Sequence, residues 1–463
     1  MADAEPRYDV AVIGGGFAGL SAAAALAEQG KRVIVLEARP GLGGRATSFT
    51  DPATGERVDN GQHLLIGGYH ETFSFLRRVG SSSSVRLQRR LSVDVVDHDG
   101  VRSRLKSVAL PAPWHLVGGI AAWSALGWRD RLAALRLGPP IRAAARTFRD
   151  PTPGVGMRKL PRTVRAWLVD NGQTDRLIHL LWEPLAVATL NESIDIAAPG
   201  PFLQVLARMF GASAQDSALG LPVKPLDEIY AEPARAFVEA RGGDVVMNAT
   251  GQVVIDDRVT VTARHTAGPG VSRAGRHVSC RSVICAVPWY ALPDVLPPVP
   301  SLRDTIDAAR NTPESPIVTV NLWLDRQVMD GEFLGLPGRA MQWVFDKRSL
   351  FGDGSSHLSL VSSGATSLVA KSNAEIIDVA LAELRAALPG MNGAAVRRAV
   401  AVREKRATFS VASGLPPRPA TRTAIPGLFL AGDWIDTGLP ATIESAVVSG
   451  HAAARAATAF LDS

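Results

Sequence analysis

Cysteine is scarce in this sequence, with only Cys280 and Cys285 among 463 residues. Two cysteines exclude a disulfide framework and a four-cysteine zinc site, and their scarcity favours a reducing compartment. Charged residues make up 20% and hydrophobic residues 46% of the chain, alongside 43 glycines and 31 prolines. These proportions exclude a coiled coil, a collagen and a disordered chain, and they favour an α/β enzyme with many tight turns.

Long hydrophobic runs are also missing. The longest apolar window, Leu116–Trp128, has 13 residues, whereas a helix needs about 20 to span a bilayer. The N-terminus has no apolar stretch of the kind that a signal peptide contains. We therefore expect a cytoplasmic protein without a spanning segment, and the length predicts several domains of roughly 100–200 residues each.

The first 40 residues carry the clearest pattern. Tyr8–Ile13 is predicted to be a buried strand, Phe17–Gln29 a helix and Arg32–Glu37 a second strand. Gly14-x-Gly16-x-x-Gly19 lies between the first strand and the helix, where glycines allow a pyrophosphate to approach the helix N-terminus. Glu37 ends the second strand and is placed to accept hydrogen bonds from ribose hydroxyls, so we predict a dinucleotide site.

The residues that follow favour FAD over NAD. Ala38 to Arg45 add the pair Gly43-Gly44 and the cation of Arg45, which suit a ligand that extends past the first turn. Near the other end, the apolar strand Leu428–Ala431 runs into Gly432-Asp433, and a helix is predicted from about Ala441 to Phe460. The N-terminus of that helix would stabilise negative charge on a reduced flavin.

These segments predict an interleaved organisation. A discontinuous cofactor domain is expected to comprise 1–78, 235–300 and 420–463, and a substrate and membrane-facing domain 79–234 and 301–419. Further strands are predicted at Val253–Ile255, Val259–Ala263, Val278–Val287 and Ile317–Leu324.

The sequence resembles the FAD-dependent amine oxidase and phytoene desaturase superfamily. Within it, the chain is most similar to the squalene-associated FAD-dependent desaturases, the hydroxysqualene dehydroxylases of hopanoid and triterpenoid synthesis. The motifs that carry the resemblance are Gly14–Gly19, Glu37, Gly43–Arg45, Asp59–His63, Trp182–Leu185, Leu322–Arg326, Gln342–Asp346, Arg403–Phe409 and Gly432–Thr442.

The resemblance implies an α/β fold: a Rossmann-like FAD-binding domain of the glutathione reductase type with an inserted α+β substrate domain. It implies that the Asn60–His63 loop lies beside the flavin and that Thr442 and Ile443 offer backbone N–H groups to its pyrimidine edge. The expected cofactor contacts are Gly14, Gly16, Phe17, Ala18, Gly19, Glu37, Ala38, Arg39, Gly43, Gly44, Arg45, Asn60, Gly61, Gln62, His63, Gly251, Gly432, Asp433, Thr442 and Ile443.

Two features argue against amine oxidation. Amine oxidases of this superfamily carry a lysine in the strand that matches Pro316–Leu324, and here that strand has none. They also use an aromatic residue where this chain has Thr442. Because residues 286–463 contain no cysteine that would tether a flavin covalently, we expect non-covalent FAD.

The resemblance implies a long apolar polyprenyl substrate, bound by burial of apolar surface at roughly 25 cal/mol per Å². The expected lining residues are Trp182, Trp323, Trp343 and Phe345. One alternative is a carotenoid-type desaturase that uses the flavin in the oxidative direction; another is a non-catalytic flavin-binding protein of a membrane assembly. The sequence does not identify the electron donor.

Removal of a hydroxyl group needs a proton donor, because hydroxide is a poor leaving group. The candidates are Glu183, His63 and Asp436. Glu183 lies in an apolar segment that would raise its pKa, but it would serve equally as a helix-end acid paired with an arginine. His63 would alternatively contact only the flavin, and Asp436 would alternatively cap the closing helix. No metal site is predicted.

A lipid-soluble substrate requires access from a membrane, and residues 116–165 provide a candidate surface. The apolar window is followed by residues 129–165, which hold ten Lys and Arg against Asp130 and Asp150. This net +8 exceeds the +6 of the whole chain and suits a peripheral anchor on the inner face of the cell membrane. The alternative is a buried helix followed by a solvated one; nucleic acid is disfavoured because no recognition module is present.

Overall fold

The computed structural model describes residues 7–149, 160–265, 275–352 and 356–463. Its central layer is a five-stranded parallel sheet, in the order Asp244–Val246, Val33–Leu36, Tyr8–Ile13, Cys280–Cys285 and Leu428–Leu430. The inner strands are buried almost throughout, as expected of a parallel sheet covered on both faces. The predicted Rossmann-like α/β fold is confirmed.

The first and last helices of the chain pack against each other on this sheet. Phe17–Glu28 is rich in alanine and buried over almost its whole length, and the closing helix spans Ile443–Leu461. At Gly450 an added Cβ would lie 2.3 Å from the carbonyl oxygen of Ala18. The absence of a side chain there lets the two helices approach closely.

A three-stranded antiparallel sheet follows the edge strand of the parallel sheet. It consists of Ala249–Ile255, Val259–His265 and Arg276–Val278. The single strand predicted over Val278–Val287 is wrong: the chain leaves this sheet at Val278 and joins the parallel sheet at Cys280. Only Val278 of the predicted span pairs in the first sheet, and the neighbouring residues contain no glycine or proline that would mark the change of sheet.

A seven-stranded mixed sheet forms the other large layer. Its order is Val396–Phe409, Glu314–Leu324, Ser356–Ser363, Trp343–Asp346, Phe333–Gly335, Ser92–Val96 and Arg102–Lys106. Neighbours are antiparallel except for the contact between Gly335 and Val95. Distant parts of the chain, before residue 107 and after residue 313, therefore build one layer.

Helices cover most of the region from Trp114 to Glu239. They are Trp114–Ala122, Trp128–Leu135, Gly138–Arg149, Val164–Asp170, Asp175–Leu177, Glu183–Leu190, Pro199–Met209 and Glu232–Glu239, with π-helical turns at Ile178–Trp182 and Asp227–Ala231. Among the described residues, no helix has both the length and the apolar character needed to cross a membrane.

The remaining strands are short. A hairpin and a three-stranded sheet comprise Ser48–Thr50, Arg57–Asp59, Leu65–Ile66, Val85–Leu87 and Leu219–Pro222. The other helices are His70–Arg78, Leu292–Val295, Arg303–Arg310, Lys347–Phe351, Thr366–Val369 and Asn373–Ala387.

Candidate active site

A single cavity of about 750 Å³ runs from the carboxyl edge of the parallel sheet to the inner face of the mixed sheet. Ligands of α/β proteins bind at this edge of a parallel sheet, and the volume lies within the range of cofactor pockets. One end of the cavity is lined by the glycine-rich turn and the other by apolar side chains. The cavity thus joins the two predicted sites.

The first turn has the shape that a pyrophosphate requires. At Gly19 a Cβ would lie 1.9 Å from the carbonyl oxygen of Gly14, so this glycine permits close packing of the helix on the strand. At Gly16 a Cβ would meet nothing closer than 3.9 Å, and Gly16, Phe17 and Ala18 line the cavity. The N-terminus of Phe17–Glu28, which has no side-chain cap, therefore borders open space, as an anion site does.

Glu37 is held at the end of its strand by two backbone groups. Its carboxylate accepts hydrogen bonds from the N–H of Gly15 at 2.7 Å and of Arg39 at 2.9 Å. Ala38 and Arg39 also line the cavity. This geometry fixes a carboxylate beside the turn, where the ribose of a dinucleotide binds.

Arg45 and Asp433 come from opposite ends of the chain and form an ion pair across the cavity wall. The guanidinium lies 2.5 Å from the carboxylate and also donates to the carbonyl of Ala407 at 2.9 Å. Both residues line the cavity together with Gly43, Gly44 and Gly432. The two residues predicted to contact the cofactor therefore also tie the two chain ends together.

The closing helix points its N-terminus at the same cavity. Thr442 is its N-cap and accepts a hydrogen bond from the N–H of Ser445 at 3.1 Å. Thr442 and Ile443 line the cavity. On the opposite side Gly251 lines it too, and a Cβ there would lie 3.0 Å from the side chain of Ile13. Gly19 is the one expected contact that does not line the cavity.

The Asn60–His63 loop forms the polar part of the wall next to the apolar end. Asn60 is fixed by the preceding segment of the chain, because its N–H donates to the carbonyl of Thr47 at 3.0 Å and its side-chain amide donates to the carbonyl of Arg45. His63 Nδ1 lies 2.7 Å from the carbonyl oxygen of Gly61. Burial lowers the pKa of His63, against the Gly61 hydrogen bond, which raises it.

The apolar end is built by helical residues on one side and the mixed sheet on the other. Trp343 and Phe345 line it, as predicted, with Leu64, Leu91, Val93, Val95, Leu105, Trp123, Leu180, Leu181, Pro184, Leu185, Ile317 and Val361. The sequence analysis missed Leu91, Val93 and Val95. Their alternation is the signal of a strand with one buried face.

Two predicted lining residues lie elsewhere. Trp182 is buried away from the cavity and donates from Nε1 to the amide oxygen of Gln173 at 2.8 Å. Trp323 stacks on His357 with its ring centroid 4.2 Å away and donates to Glu56. Both satisfy their indole N–H inside the protein, which fixes their rings away from the substrate space.

Two predicted proton donors also lie outside the cavity. The Glu183 side chain is 39% exposed and lies 3.7 Å from Arg165, so it is not the buried acid that its apolar neighbours suggested. Asp436 is 62% exposed, accepts a hydrogen bond from the N–H of Gly438 and lies 3.6 Å from Arg418. Of the three candidates, the structure brings only His63 to the cavity.

The comparisons with known proteins agree with this geometry. The family model of flavin containing amine oxidoreductases matches residues 17–458. The hydroxysqualene dehydroxylase of Zymomonas mobilis is 27% identical over 96% of this chain and 97% of its own length. The 15-cis-phytoene desaturase of Synechococcus elongatus is 25% identical over 98% of this chain and 96% of its own.

A solved structure shows the same fold. An oxidoreductase from Methanosarcina mazei superposes with a TM-score of 0.71 at 18% identity, over 96% of this chain and 99% of that chain. The glycine cradle, the fixed Glu37 carboxylate and the two helix N-termini fit a flavin dinucleotide. The chain therefore belongs to the flavin-containing amine oxidoreductase family and is an FAD-dependent oxidoreductase.

Proposed function

We propose that this protein reductively removes the hydroxyl group of hydroxysqualene and releases squalene for hopanoid or other triterpenoid synthesis, using non-covalently bound FAD. The observation that best supports this proposal is the single cavity, which joins a dinucleotide cradle to an apolar wall with one polar loop. A polyprenyl alcohol has this distribution of polarity. Relatives that act on polyprenyl substrates, by their names, cover almost the whole chain.

The reaction balances with one reductant and one proton. The glycine turn, Glu37 and the N-termini of Phe17–Glu28 and Ile443–Leu461 would hold FAD, which in its reduced form would supply a hydride to the carbon that carries the hydroxyl. The hydroxyl would leave as water after protonation, and an unidentified electron donor would supply the electrons for the next turnover. The residues of this chain bind the two partners in one cavity, exclude water with the apolar wall and hold the polar loop against the substrate.

The environment of the two cysteines supports the proposal of a dissociable cofactor. Cys280 and Cys285 are both buried in a strand of the parallel sheet. Desolvation by burial raises the pKa of each thiol to about 12. Neither thiol is therefore activated for attack on a flavin.

A carotenoid-type desaturase is the second candidate, favoured by the similarity to the phytoene desaturase. Its hydrocarbon substrate has no group to match His63, which lines the cavity and whose Nδ1 alone is hydrogen-bonded, to the carbonyl of Gly61, within the described parts of the chain. An alcohol substrate would give Nε2 of His63 a partner. We therefore favour dehydroxylation over desaturation.

Product analysis separates these functions. Pure FAD-loaded enzyme is incubated with hydroxysqualene under reducing conditions and, separately, with phytoene under oxidising conditions. We expect squalene in the first incubation and unchanged phytoene in the second. Desaturated products of phytoene with no squalene would establish the second candidate. No product in either incubation, with an unchanged flavin spectrum, would indicate a non-catalytic flavin protein.

We also propose that the protein binds the inner membrane surface peripherally. The predicted apolar window Leu116–Trp128 is not itself the contact surface, because Leu116, Trp123 and Leu126 are buried. The proposed contact is instead the exposed apolar face, which comprises the side chains of Leu110, Trp114, Trp128, Leu132 and Leu135. Trp114 and Trp128 are 61% and 67% exposed. Arg129 is exposed on the helix Trp128–Leu135, Arg136 at its C-terminal end and Arg142 on the next helix, which suits anionic lipid. Part of the predicted basic surface, at 150–159, lies outside the described residues.

Trp123 connects this region to the cavity along the chain. It lines the cavity and directly follows the helix Trp114–Ala122, whose first residue belongs to the exposed apolar face. We propose that the apolar substrate enters from lipid on this side. Large exposed apolar patches mark such interaction surfaces.

Vesicle sedimentation tests the membrane proposal. The wild-type protein is expected to sediment with anionic vesicles, and the W114S/W128S variant is expected to stay in the supernatant. The matched control I196S changes an apolar side chain that is 49% exposed and is not part of the proposed face, and it should sediment like the wild type. Equal sedimentation of all three proteins would refute the proposed face.

A further inference from the structure

A buried lysine ties the mixed sheet to the polar loop of the cavity. Lys347 begins the helix Lys347–Phe351 and is 1% exposed. Its ammonium donates to Asp59 Oδ2 at 2.5 Å and to Gln62 Oε1 at 2.7 Å, and it lies 3.8 Å from the ring centre of Phe351. Burial of an ammonium group is unfavourable unless it is paired and hydrogen-bonded.

The lysine also fixes the orientation of the Gln62 amide. An ammonium group only donates hydrogen bonds, so the atom of Gln62 that faces it must be the oxygen. The Gln62 nitrogen is buried and has no hydrogen-bond partner among the described residues. With Asn60 held by Thr47 and Arg45, the loop is anchored from both layers.

The anchored loop presents His63 in one tautomer. A carbonyl oxygen only accepts, so the Nδ1 that lies 2.7 Å from the Gly61 oxygen carries the proton. In the neutral ring Nε2 is then an acceptor, and within the described parts of the chain no residue donates to it. Burial lowers the pKa of His63. Among nearby charges Asp59 raises it and Lys347 lowers it.

We propose that Lys347 is a positioning residue, which holds the Asn60–His63 loop so that Nε2 of His63 accepts a hydrogen bond from the substrate hydroxyl. This inference rests on the proposed function and deepens it, because it names the group that distinguishes a polyprenyl alcohol from a hydrocarbon. A site built to bond a hydroxyl rejects the analogue that lacks it, since a buried polar group is then left unpaired.

The test compares binding of the alcohol and the hydrocarbon. Hydroxysqualene and squalene are titrated in detergent into the oxidised FAD-loaded enzyme, and the flavin spectrum reports each dissociation constant without turnover. The wild-type enzyme is expected to bind hydroxysqualene roughly tenfold or more tightly than squalene. The ratio of the squalene dissociation constant to the hydroxysqualene dissociation constant is the quantity compared between variants. In K347M/D59N, which removes both charges together, we expect this ratio to fall to about two while the affinity for squalene is unchanged.

Two further variants keep the test decisive. The control R398M/D51N removes the ion pair between Arg398 of the mixed sheet and Asp51, which are 2.5 Å apart. Asp51 lies in the hairpin that also carries Asp59, and this variant should keep the wild-type ratio. H63F leaves Lys347 and Asp59 paired but removes the acceptor, so it should lose the ratio even if K347M/D59N fails to fold.

A wild-type ratio in H63F, or in a folded K347M/D59N enzyme, would overturn the inference. The proposed function fails separately: an enzyme that prefers hydroxysqualene in binding but never forms squalene contradicts the reaction and leaves the recognition intact.

Discussion

Gly16 lines the cofactor end of the cavity and leaves room there for a ligand. Its backbone is extended, with φ −92°, and an added Cβ would meet nothing within 3.9 Å except the cavity itself. We predict that G16A folds normally but binds FAD roughly tenfold or more weakly, because the methyl group occupies the space of the phosphates. Equilibrium dialysis with FAD measures the loss.

G41A is the matched control for this variant. Gly41 lies in the following loop, and a Cβ there would meet nothing within 4 Å. This variant should bind FAD like the wild type. If G16A also kept wild-type affinity, the glycine turn would not be the phosphate site.

Substitution of Glu183, in contrast, should have little effect on the reaction. It is exposed and close to Arg165, so E183Q should convert hydroxysqualene at a rate within about twofold of the wild type. A general acid contributes roughly 10²–10⁴-fold to a rate. A loss of that size in a steady-state assay would return Glu183 to the mechanism.

Local chemistry explains which residues the sequence predicted and which it did not. The glycine turn, Glu37 and Asp433 were predictable because each requirement is met within a few residues of a strand end. Trp323 and Trp343 sit in similar apolar strands, and only the three-dimensional arrangement of the sheet determines that Trp343 faces the cavity. Lys347 was missed because its partners, Asp59 and Gln62, are far away in sequence.

The pair of helices at the two chain ends holds the cofactor edge together. A Cβ at Gly450 would lie 2.3 Å from both the Ala18 oxygen and the Ser21 hydroxyl. We predict that G450A lowers the free energy of unfolding by about 1–3 kcal/mol, as overpacking does. FAD occupancy should also fall, because Phe17–Glu28 begins at the cavity.

Urea denaturation with G200A as the control checks this prediction. Gly200 lies in the first turn of the helix Pro199–Met209, and a Cβ there would meet nothing within 4 Å. G200A should be at least as stable as the wild type, because alanine favours the helix more than glycine does. Equal midpoints for G450A and the wild type would show that the two helices are not in close contact.

The predicted and observed ends of helices and strands agree best where the hydrophobic pattern ends at a glycine or a polar residue. The strand Tyr8–Ile13 has the predicted limits, and the helices after it and at the end of the chain differ by one or two residues. The predicted strand over Val278–Val287 divides between two sheets because pairing partners, not residue type, determine where a strand bends. The π-helical turn Ile178–Trp182 likewise has no simple sequence pattern.

At the scale of the whole molecule, the site depends on distant segments. The parallel sheet combines strands from the start, middle and end of the chain, and the mixed sheet adds strands from before residue 107 and after residue 313. Lys347–Asp59 and Arg45–Asp433 link these segments next to the cavity. The resemblance to a known family predicted the fold, but the path of the cavity required the assembled layers.

The most direct measurement of the central claim is an anaerobic single-turnover titration. The FAD-loaded enzyme is reduced, freed of excess reductant and mixed with hydroxysqualene while absorbance is followed at about 450 nm, where oxidised flavin absorbs. We predict that the flavin absorbance returns in step with the formation of squalene, one molecule per flavin. A flavin that stays reduced until oxygen is admitted, with hydroxysqualene recovered unchanged, would contradict the account.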